Sequence, residues 1–263
     1  MDNPAIFLPE AREAAQEAGR YLLQGLGQKK EVDFKGQVDL VTSFDRRSEE
    51  MIFRRLSQAF PDHSFLAEEE IRRDRASDYC WLVDPLDGTT NYAHGLPVFC
   101  VSIALSFKKE VVLGVVYDPA REEIFTAVRG QGAYLNGQPV RVSETAELGR
   151  SLLATGFPYD VRSSNDNNLD HFSNFAVRAQ AIRRLGSAAL DLCYVACGRF
   201  DGYWEKKLKP WDLAAGSLLV KEAGGRVSNL EGGDFNVFSP HIVASNGHIH
   251  QSMLEILSLG LVK

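Results

Sequence analysis

The residues best suited to chemistry are Asp84 and Asp87, which stand three positions apart just after an apolar run at residues 80–83. A proline and a glycine in the same segment favour a turn, so we expect both carboxylates to be held close together where a strand ends. Adjacent carboxylates repel each other unless a cation lies between them, and oxygen ligands suit Mg²⁺, Mn²⁺ or Ca²⁺ better than Zn²⁺. The backbone amides and hydroxyls of residues 88–91 could bind an oxyanion beside such cations. The pattern therefore indicates phosphate chemistry, although an isolated motif of this kind could also be an ordinary turn.

Two other acidic segments could contribute to the same site. Asp212 opens a predicted helix over residues 212–222 and could simply cap it, with two glycines at the helix end. Three consecutive glutamates at residues 68–70 follow a predicted strand at residues 63–67, and such runs are usually solvated turns. Neither segment identifies a site by itself.

Both motifs resemble those of a known family. Residues 84–92, Asp-Pro-Leu-Asp-Gly-Thr-Thr-Asn-Tyr, resemble the signature Asp-Pro-Leu/Ile-Asp-Gly-Thr-Thr-Asn-Phe of the inositol monophosphatase family, with Tyr92 in place of phenylalanine. Residues 211–216 and 222–225 resemble the second signature of that family, Trp-Asp-x-Ala-Ala-Gly followed by Glu-Ala-Gly-Gly. The resemblance runs from residue 39 to residue 246. It implies an α/β layered fold, an αβαβα sandwich of the inositol monophosphatase and fructose-1,6-bisphosphatase type.

The resemblance also implies an activity and a set of site residues. It implies a phosphomonoesterase that uses Mg²⁺ and a metal-activated water to hydrolyse myo-inositol monophosphate. The resemblance also implies that lithium inhibits this enzyme. The metal ligands would be Glu68, Asp84, the backbone carbonyl of Leu86, Asp87 and Asp212. The catalytic residues would be Asp45, Glu68 and Thr89, with Asp45 and Thr89 taking the proton of the water. The substrate contacts would be Asp87, Gly88, Thr89, Ser187, Glu205 and Asp212.

Several residues near these positions have a second interpretation. Glu205 could be an exposed strand residue. Arg183 and Arg184 stand beside a segment that aligns with the substrate site, but they could belong to a surface or a dimer interface. The three lysines within residues 206–209 could bind the second phosphate of a sugar bisphosphate, or they could lie in a solvated loop.

Other functions share these motifs. The same metal signature occurs in fructose-1,6-bisphosphatase, histidinol phosphatase and adenosine bisphosphate phosphatase. These enzymes differ in loops whose substrate specificity is harder to infer from sequence. A different alternative is a bacterial regulatory factor that binds the transcription or ribosomal-RNA assembly machinery, for which Arg183 and Arg184 would be surface candidates.

The composition excludes some classes of protein. The net charge of −6 argues against nonspecific nucleic-acid binding by the whole surface. No apolar run approaches the length of a membrane span, and the first residues lack a basic region followed by an apolar stretch, so we expect a cytoplasmic protein without a membrane partner. The four cysteines contain no Cys-x-x-Cys pair and are typical of reduced core residues. The resemblance further implies a homodimer that binds a small phosphate monoester.

The elements that position the candidate residues are expected to form one catalytic domain over residues 1–263, because the chain has no repeat or flexible linker. We expect a mainly antiparallel sheet with helices over about residues 1–148 and an alternating α/β half over residues 149–263. In the second half we expect a helix over about residues 168–180 and a closing helix near His250, which we place at the surface.

In the first half, a short strand at residues 38–41 is expected to precede a helix that Thr42 or Ser43 caps, with Asp45 in its first turn. The strand through residues 80–83 is expected to end before the two aspartates, where the proline cannot donate to a ladder.

Overall fold

The helices and strands alternate between packed layers. The computed structural model describes residues 3–28, 32–34 and 40–260, and within these ranges it contains seven α-helices and fifteen strands. The helices are α1 (Leu8–Gly25), α2 (Ser43–Ala59), α3 (Thr89–Ala93), α4 (Leu169–Ala176), α5 (Ala188–Ala196), α6 (Pro210–Glu222) and α7 (His250–Leu257). The strands are β1 (Val32–Phe34), β2 (Leu40–Thr42), β3 (Ser64–Ala67), β4 (Arg72–Arg73), β5 (Tyr79–Asp87), β6 (Cys100–Phe107), β7 (Glu110–Asp118), β8 (Glu123–Val128), β9 (Ala133–Leu135), β10 (Gln138–Val140), β11 (Leu152–Thr155), β12 (Ala181–Arg183), β13 (Gly202–Lys206), β14 (Arg226–Ser228) and β15 (His241–Ser245). The predicted strand at residues 38–41 overlaps β2, and its first part lies outside the described residues.

The first half of the chain builds an eight-stranded sheet in the order β10-β9-β8-β7-β6-β5-β3-β4. Its neighbouring strands are antiparallel except β3 and β5, which run parallel. Asn136 and Gly137, between β9 and β10, both have positive φ. That conformation matches the twist of a two-residue hairpin, which explains the Asn-Gly pair.

The second half builds a five-stranded sheet in the order β12-β11-β13-β15-β14. Strand β11 runs parallel to both β12 and β13, whereas β15 is antiparallel to β13 and β14. The parallel pairs require crossover connections, and helices α4 and α5 lie in them.

Three hydrophobic clusters show how the two sheets are layered. Trp81 and Val83 of β5 share a cluster with residues of α1 and α2, whereas the intervening Leu82 belongs to the cluster that contains α5 and α6. This alternation follows from the two-residue period of a strand. Trp204 of β13 packs with Phe175 of α4 and with residues of α7. The order of layers is therefore α1 and α2, the large sheet, α5 and α6, the small sheet, and α4 and α7, which confirms the predicted αβαβα sandwich.

Strand β5 differs from the expectation that it ends before the two aspartates. It continues through Pro85 to Asp87, and its register against β6 shifts between Asp84 and Asp87. A bulge accommodates a residue that has no N–H for the ladder, so the proline bends the strand instead of ending it.

Two expectations for the second half also need correction. Helix α4 ends at Ala176, earlier than the predicted residue 180, and Val177 after it is 68% exposed. His250 does start the closing helix, but it is fully buried rather than at the surface. Its ring nitrogens lie 2.9 Å from the hydroxyls of Ser228 and Ser245, which satisfy the polar atoms of the buried ring.

Two further findings concern the class of protein. Among the residues that the structure describes, none of the helices combines the length and the apolar character that crossing a bilayer requires. All four cysteines lie within the described ranges and have free thiols, as the sequence predicts.

Candidate active site

A cavity of about 310 Å³ opens where the two sheets and the central helices meet. Its walls come from the turn after β3, the end of β5, the loop after β11, the start of α5, the end of β13 and the start of α6. The predicted site residues that line it are Glu68, Asp84, Leu86, Asp87, Gly88, Thr89, Ser187, Glu205 and Asp212. Asp45 lies behind this wall, in contact with Thr89.

The bulge in β5 presents its two aspartates to the cavity. Asp84 is 2% exposed, and its Oδ1 accepts a hydrogen bond from the amide of Leu86 at 3.0 Å. The Oδ2 of Asp87 accepts hydrogen bonds of 2.7 Å from the Ser187 hydroxyl and from the amide of Ala189. In each case the protein holds one carboxylate oxygen and thereby orients the other.

Asp212 and Glu68 reach the cavity from two other elements. The Oδ2 of Asp212, in the first turn of α6, accepts a hydrogen bond of 2.7 Å from the amide of Lys209. The amide of Glu68 donates to the carbonyl of Val83 at 3.1 Å, which sets this residue beside the aspartates of β5. Four acidic side chains from three separate segments of the chain therefore line one pocket.

The electrostatics of these carboxylates fit a site for divalent cations. Burial and the neighbouring charge of Glu68 raise the pKa of Asp84 and of Asp212 well above the usual range, and burial also raises the pKa of Asp87. A hydrogen bond between the Glu68 and Asp84 side chains contributes to the raised pKa of Asp84. Two carboxyl groups in such contact need either a shared proton or a cation between them.

The donor set consists of carboxylates and the Leu86 carbonyl, which suits hard cations that prefer oxygen. The described part of the chain contains no ready-made group of three or more potential His, Cys, Asp or Glu ligands.

Asp45 and Thr89, which the family resemblance implies as a pair, are in contact. The Thr89 hydroxyl lies 2.9 Å from Asp45 Oδ1 and 2.9 Å from the carbonyl of Leu86, and it can donate its proton to one of them at a time. Asp45 is fully buried, and its Oδ2 accepts hydrogen bonds from the amide and the hydroxyl of Thr42, at 2.8 and 2.5 Å. Burial raises the pKa of Asp45, and the hydrogen bonds from Thr42 and Thr89 oppose that shift.

Glu205 lies in the pocket wall rather than on an exposed strand. Burial raises its pKa to about 7, while a hydrogen bond of 2.6 Å from the Tyr203 hydroxyl acts in the opposite direction. A Cβ atom at Gly156 would stand 2.1 Å from Glu205 Oε1, so a larger residue there would displace the Glu205 carboxylate. Arg184 also lines the pocket, and its charge lowers the pKa of Glu205.

Sequence reasoning missed Asp191, a charged residue in the apolar helix α5. It is 1% exposed, and its Oδ1 makes no hydrogen bond to any described residue. Burial, followed by the charges of Glu205 and Asp87, raises its pKa well above the usual range. The sequence signal was the single acidic residue inside an otherwise apolar helix.

The lysines beside the pocket are largely neutralised. Lys206 forms an ion pair with Asp166, and the Nζ of Lys207 lies 2.7 Å from Asp160 Oδ2. Both partners belong to the loop after β11, so at least two of the three lysine charges are engaged within the protein.

Comparison with known proteins places the chain in a family. Residues 5–259 match the inositol monophosphatase family. An inositol-1-monophosphatase of Synechocystis is 45% identical over 96% of this chain and 88% of its own length. A Nus factor SuhB of Pasteurella multocida is 43% identical over 96% of this chain and 95% of its own length.

A solved structure gives the same result. The structure of an inositol monophosphatase from Anabaena has a TM-score of 0.89 and 44% identity, covering 97% of this chain and 96% of that one. The family match over residues 5–259 includes every residue that lines the pocket. The chain therefore belongs to the inositol monophosphatase family and is a phosphatase.

Proposed function

We propose that this phosphatase uses Mg²⁺ to hydrolyse the monoester of myo-inositol phosphate or of a similar polyol phosphate. The observation that supports the proposal is the single pocket in which four carboxylates from three elements lie next to the turn at Gly88. A site with this much negative charge binds a phosphate ester only when cations compensate that charge.

The residues that would hold the cations are Glu68, Asp84, the carbonyl of Leu86, Asp87 and Asp212. When bound, such cations acidify water and neutralise charge on the phosphoryl group, which suits a reaction whose enzymatic acceleration can reach ~10²¹. The protein prepares three of these ligands by fixing one oxygen each of Asp84, Asp87 and Asp212.

The pair formed by Thr89 and Asp45 would move the proton. The Thr89 hydroxyl can accept a proton from the attacking water if it passes its own proton to Asp45 Oδ1, 2.9 Å away. Burial raises the pKa of Asp45 and thereby makes it a stronger base. Glu68 would share in this step by holding the water and a cation, and the amides of Gly88 and Thr89 would hold the phosphate oxygens.

The opposite wall of the pocket would recognise the alcohol. Glu205, with its pKa of about 7, can accept a hydrogen bond from a hydroxyl group when it is ionised, or donate one when it is protonated. Asp87 and Asp212 line the same pocket. Ser187 would act on the substrate through Asp87, because its hydroxyl donates to that carboxylate.

The first experiment measures phosphate release from inositol 1-phosphate, glycerol 2-phosphate, fructose 1,6-bisphosphate, histidinol phosphate and adenosine 3′,5′-bisphosphate, with and without Mg²⁺. We expect inositol 1-phosphate to be turned over best, and Asp84→Asn to lower kcat/KM at least about 100-fold because it removes a ligand charge. Asp74→Asn, at an exposed aspartate, is the control. Faster turnover of another ester would move the substrate assignment to that ester, and activity without any divalent cation would contradict the metal dependence.

A second candidate function is regulatory, and the observation behind it is the 43% identity to a protein named Nus factor SuhB. We propose it as an additional role in which the chain binds transcription or ribosomal-RNA assembly machinery. Arg183, exposed on β12, is the better surface candidate, because Arg184 lines the pocket. Retention of RNA polymerase components by both the wild type and Asp84→Asn in a pull-down would support this role, and retention by neither would reject it.

Three further properties follow the family resemblance and are proposed here: inhibition by lithium, a homodimer and a cytoplasmic location. Lithium is expected to compete with Mg²⁺, so raising the Mg²⁺ concentration should shift the lithium inhibition curve. A mass from light scattering that equals one chain would reject the dimer.

A further inference from the structure

One face of α2 carries three buried polar residues that sequence motifs do not mark as a group. Asp45, Ser48 and Glu49 lie three and four positions apart, so they share one side of the helix, and none of them is more than 1% exposed. Buried polar groups are retained where they are hydrogen-bonded, so the partners of this face show what it does.

Glu49 binds the turn that carries the predicted ligand Glu68. Its Oε2 accepts a hydrogen bond from the amide of Glu69 at 2.8 Å. Its Oε1 accepts from the amides of Glu70 and Ile71 at 2.9 and 2.6 Å. Three amides on one carboxylate fix the backbone of this turn, and hydrogen bonds to a charged acceptor are about twice as strong as neutral ones.

The same turn would be unfavourable without Glu49. Three consecutive glutamates repel one another, and without Glu49 the amides of residues 69–71 would lose the carboxylate that accepts their hydrogen bonds. The turn is closed by the amide of Ala67, which donates to the carbonyl of Ile71 at 3.1 Å. Glu49 thus holds the loop in the shape that sets Glu68 against the end of β5.

Ser48 binds the second segment that carries predicted ligands. Its hydroxyl donates to the carbonyl of Pro85 at 2.8 Å, at the centre of the bulge between Asp84 and Asp87. The bulge leaves this carbonyl outside the regular ladder, so the serine provides its partner and steadies the peptide that precedes the Leu86 carbonyl.

We propose that Ser48 and Glu49 are positioning residues for the metal site, and that α2 holds the Glu68 turn and the β5 bulge at a fixed separation. The inference rests on the proposed metal-dependent function and deepens it. Neither residue contacts the substrate pocket directly, and both act through the backbone of the ligands. Outer contacts of this kind typically change metal affinity by 10–100-fold when they are removed.

The test compares Glu49→Gln and Ser48→Ala with the matched control Glu50→Gln. Glu50 is the next residue of α2, but it is exposed and pairs with Arg47 at 2.8 Å. Binding of Mn²⁺ is measured from the EPR signal of the free ion, without substrate. Amide hydrogen exchange of residues 69–71 is measured on the same metal-free samples.

We expect Glu49→Gln to weaken Mn²⁺ binding 10–100-fold and to speed amide exchange at residues 69–71. The reason is that the glutamine NH₂ group replaces an accepting oxygen, so a donor then faces a backbone N–H. We expect Ser48→Ala to weaken binding about tenfold with normal exchange at residues 69–71. Glu50→Gln should match the wild type in both measurements.

Mn²⁺ affinity within twofold of Glu50→Gln in both variants would overturn the proposal. If Glu49→Gln does not fold, Ser48→Ala decides, since it removes a single hydrogen bond, and wild-type affinity in that variant then rejects the positioning role. Both measurements are made without substrate. Weakened Mn²⁺ binding in a protein that hydrolyses no phosphate ester would uphold this inference and contradict the proposed function.

Discussion

At the scale of single residues, the hydroxyl of Thr89 is the group whose role can be isolated most cleanly. We expect Thr89→Val, which keeps the shape but removes the proton carrier, to lower kcat about 100-fold or more, since positioned acid–base groups contribute about 10²–10⁴. Thr89→Ser keeps the hydroxyl next to Asp45 and should retain activity within about tenfold. The measurement is kcat for the best substrate of the panel at saturating Mg²⁺.

The control is Thr145→Val, because Thr145 lies outside the residues that line the cavity. Equal activity of the Thr89→Val and Thr145→Val variants would show that the hydroxyl of Thr89 carries no proton in the slow step.

At the scale of elements, His250 ties the start of α7 to β14 and β15 through Ser228 and Ser245. Burial lowers its pKa to about 4, whereas an unfolded histidine titrates near 6.5. The unfolded chain therefore binds a proton between those values that the folded protein does not. The contribution to stability is complete above pH 6.5, falls as the pH drops toward 4, and changes no further below it.

Between pH 7.5 and pH 5, we expect protonation of His250 in the unfolded chain to lower the free energy of unfolding of the wild type by about 2 kcal/mol. Urea unfolding at both pH values measures it. His250→Asn should show a pH dependence smaller by that amount, whereas the same substitution at the exposed His94 should follow the wild type. An unchanged slope in His250→Asn would contradict the assignment.

A second element, the loop after β11, sets the charge beside the pocket. Asp160 and Asp166 engage Lys207 and Lys206, so the double variant Asp160→Asn, Asp166→Asn should release both lysines. We expect the ratio of kcat/KM on fructose 1,6-bisphosphate to that on inositol 1-phosphate to rise about fivefold, the equivalent of about 1 kcal/mol for partly exposed charges.

The control replaces Asp170, in the first turn of α4, by asparagine. If the ratio stays at the wild-type value in the double variant, the lysines do not face a second phosphate, and substrate choice must reside in other residues of the wall.

At the scale of the whole molecule, α5 and α6 pack between both sheets, with every residue of α5 and residues 213–220 of α6 buried. We propose that the two lobes consequently form one domain and unfold together. Leu219→Ala, at a fully buried position of α6, should lower the free energy of unfolding by about 3 kcal/mol. Trp81 and Trp204, on the outer sides of the two sheets, can report each lobe separately in single-tryptophan variants.

Both reporters should show the same midpoint in urea, and Leu219→Ala should shift both by the same amount. Separate midpoints for Trp81 and Trp204 would show two independently unfolding domains.

The sequence alone determined the features that depend on short stretches of chain. Asp84 and Asp87 were recognisable as a candidate site because a proline and a glycine stand next to them, whereas Asp212 joined that site only through the family resemblance. The contact of Asp45 with Thr89 was expected only through the family resemblance, since 44 residues separate the two. Local geometry of this kind is carried by proline, glycine and capping side chains, which act on their immediate neighbours.

Only the tertiary structure decided which distant residues meet. The sequence contains Glu49 as one glutamate among many, yet the fold gives it three amides 20 to 22 residues away. The sequence likewise did not predict that His250 and Asp191 are buried or that the pocket lysines form ion pairs. These contacts depend on how helices and sheets pack against each other, and packing is set by the sum of many weak apolar contacts rather than by a local pattern.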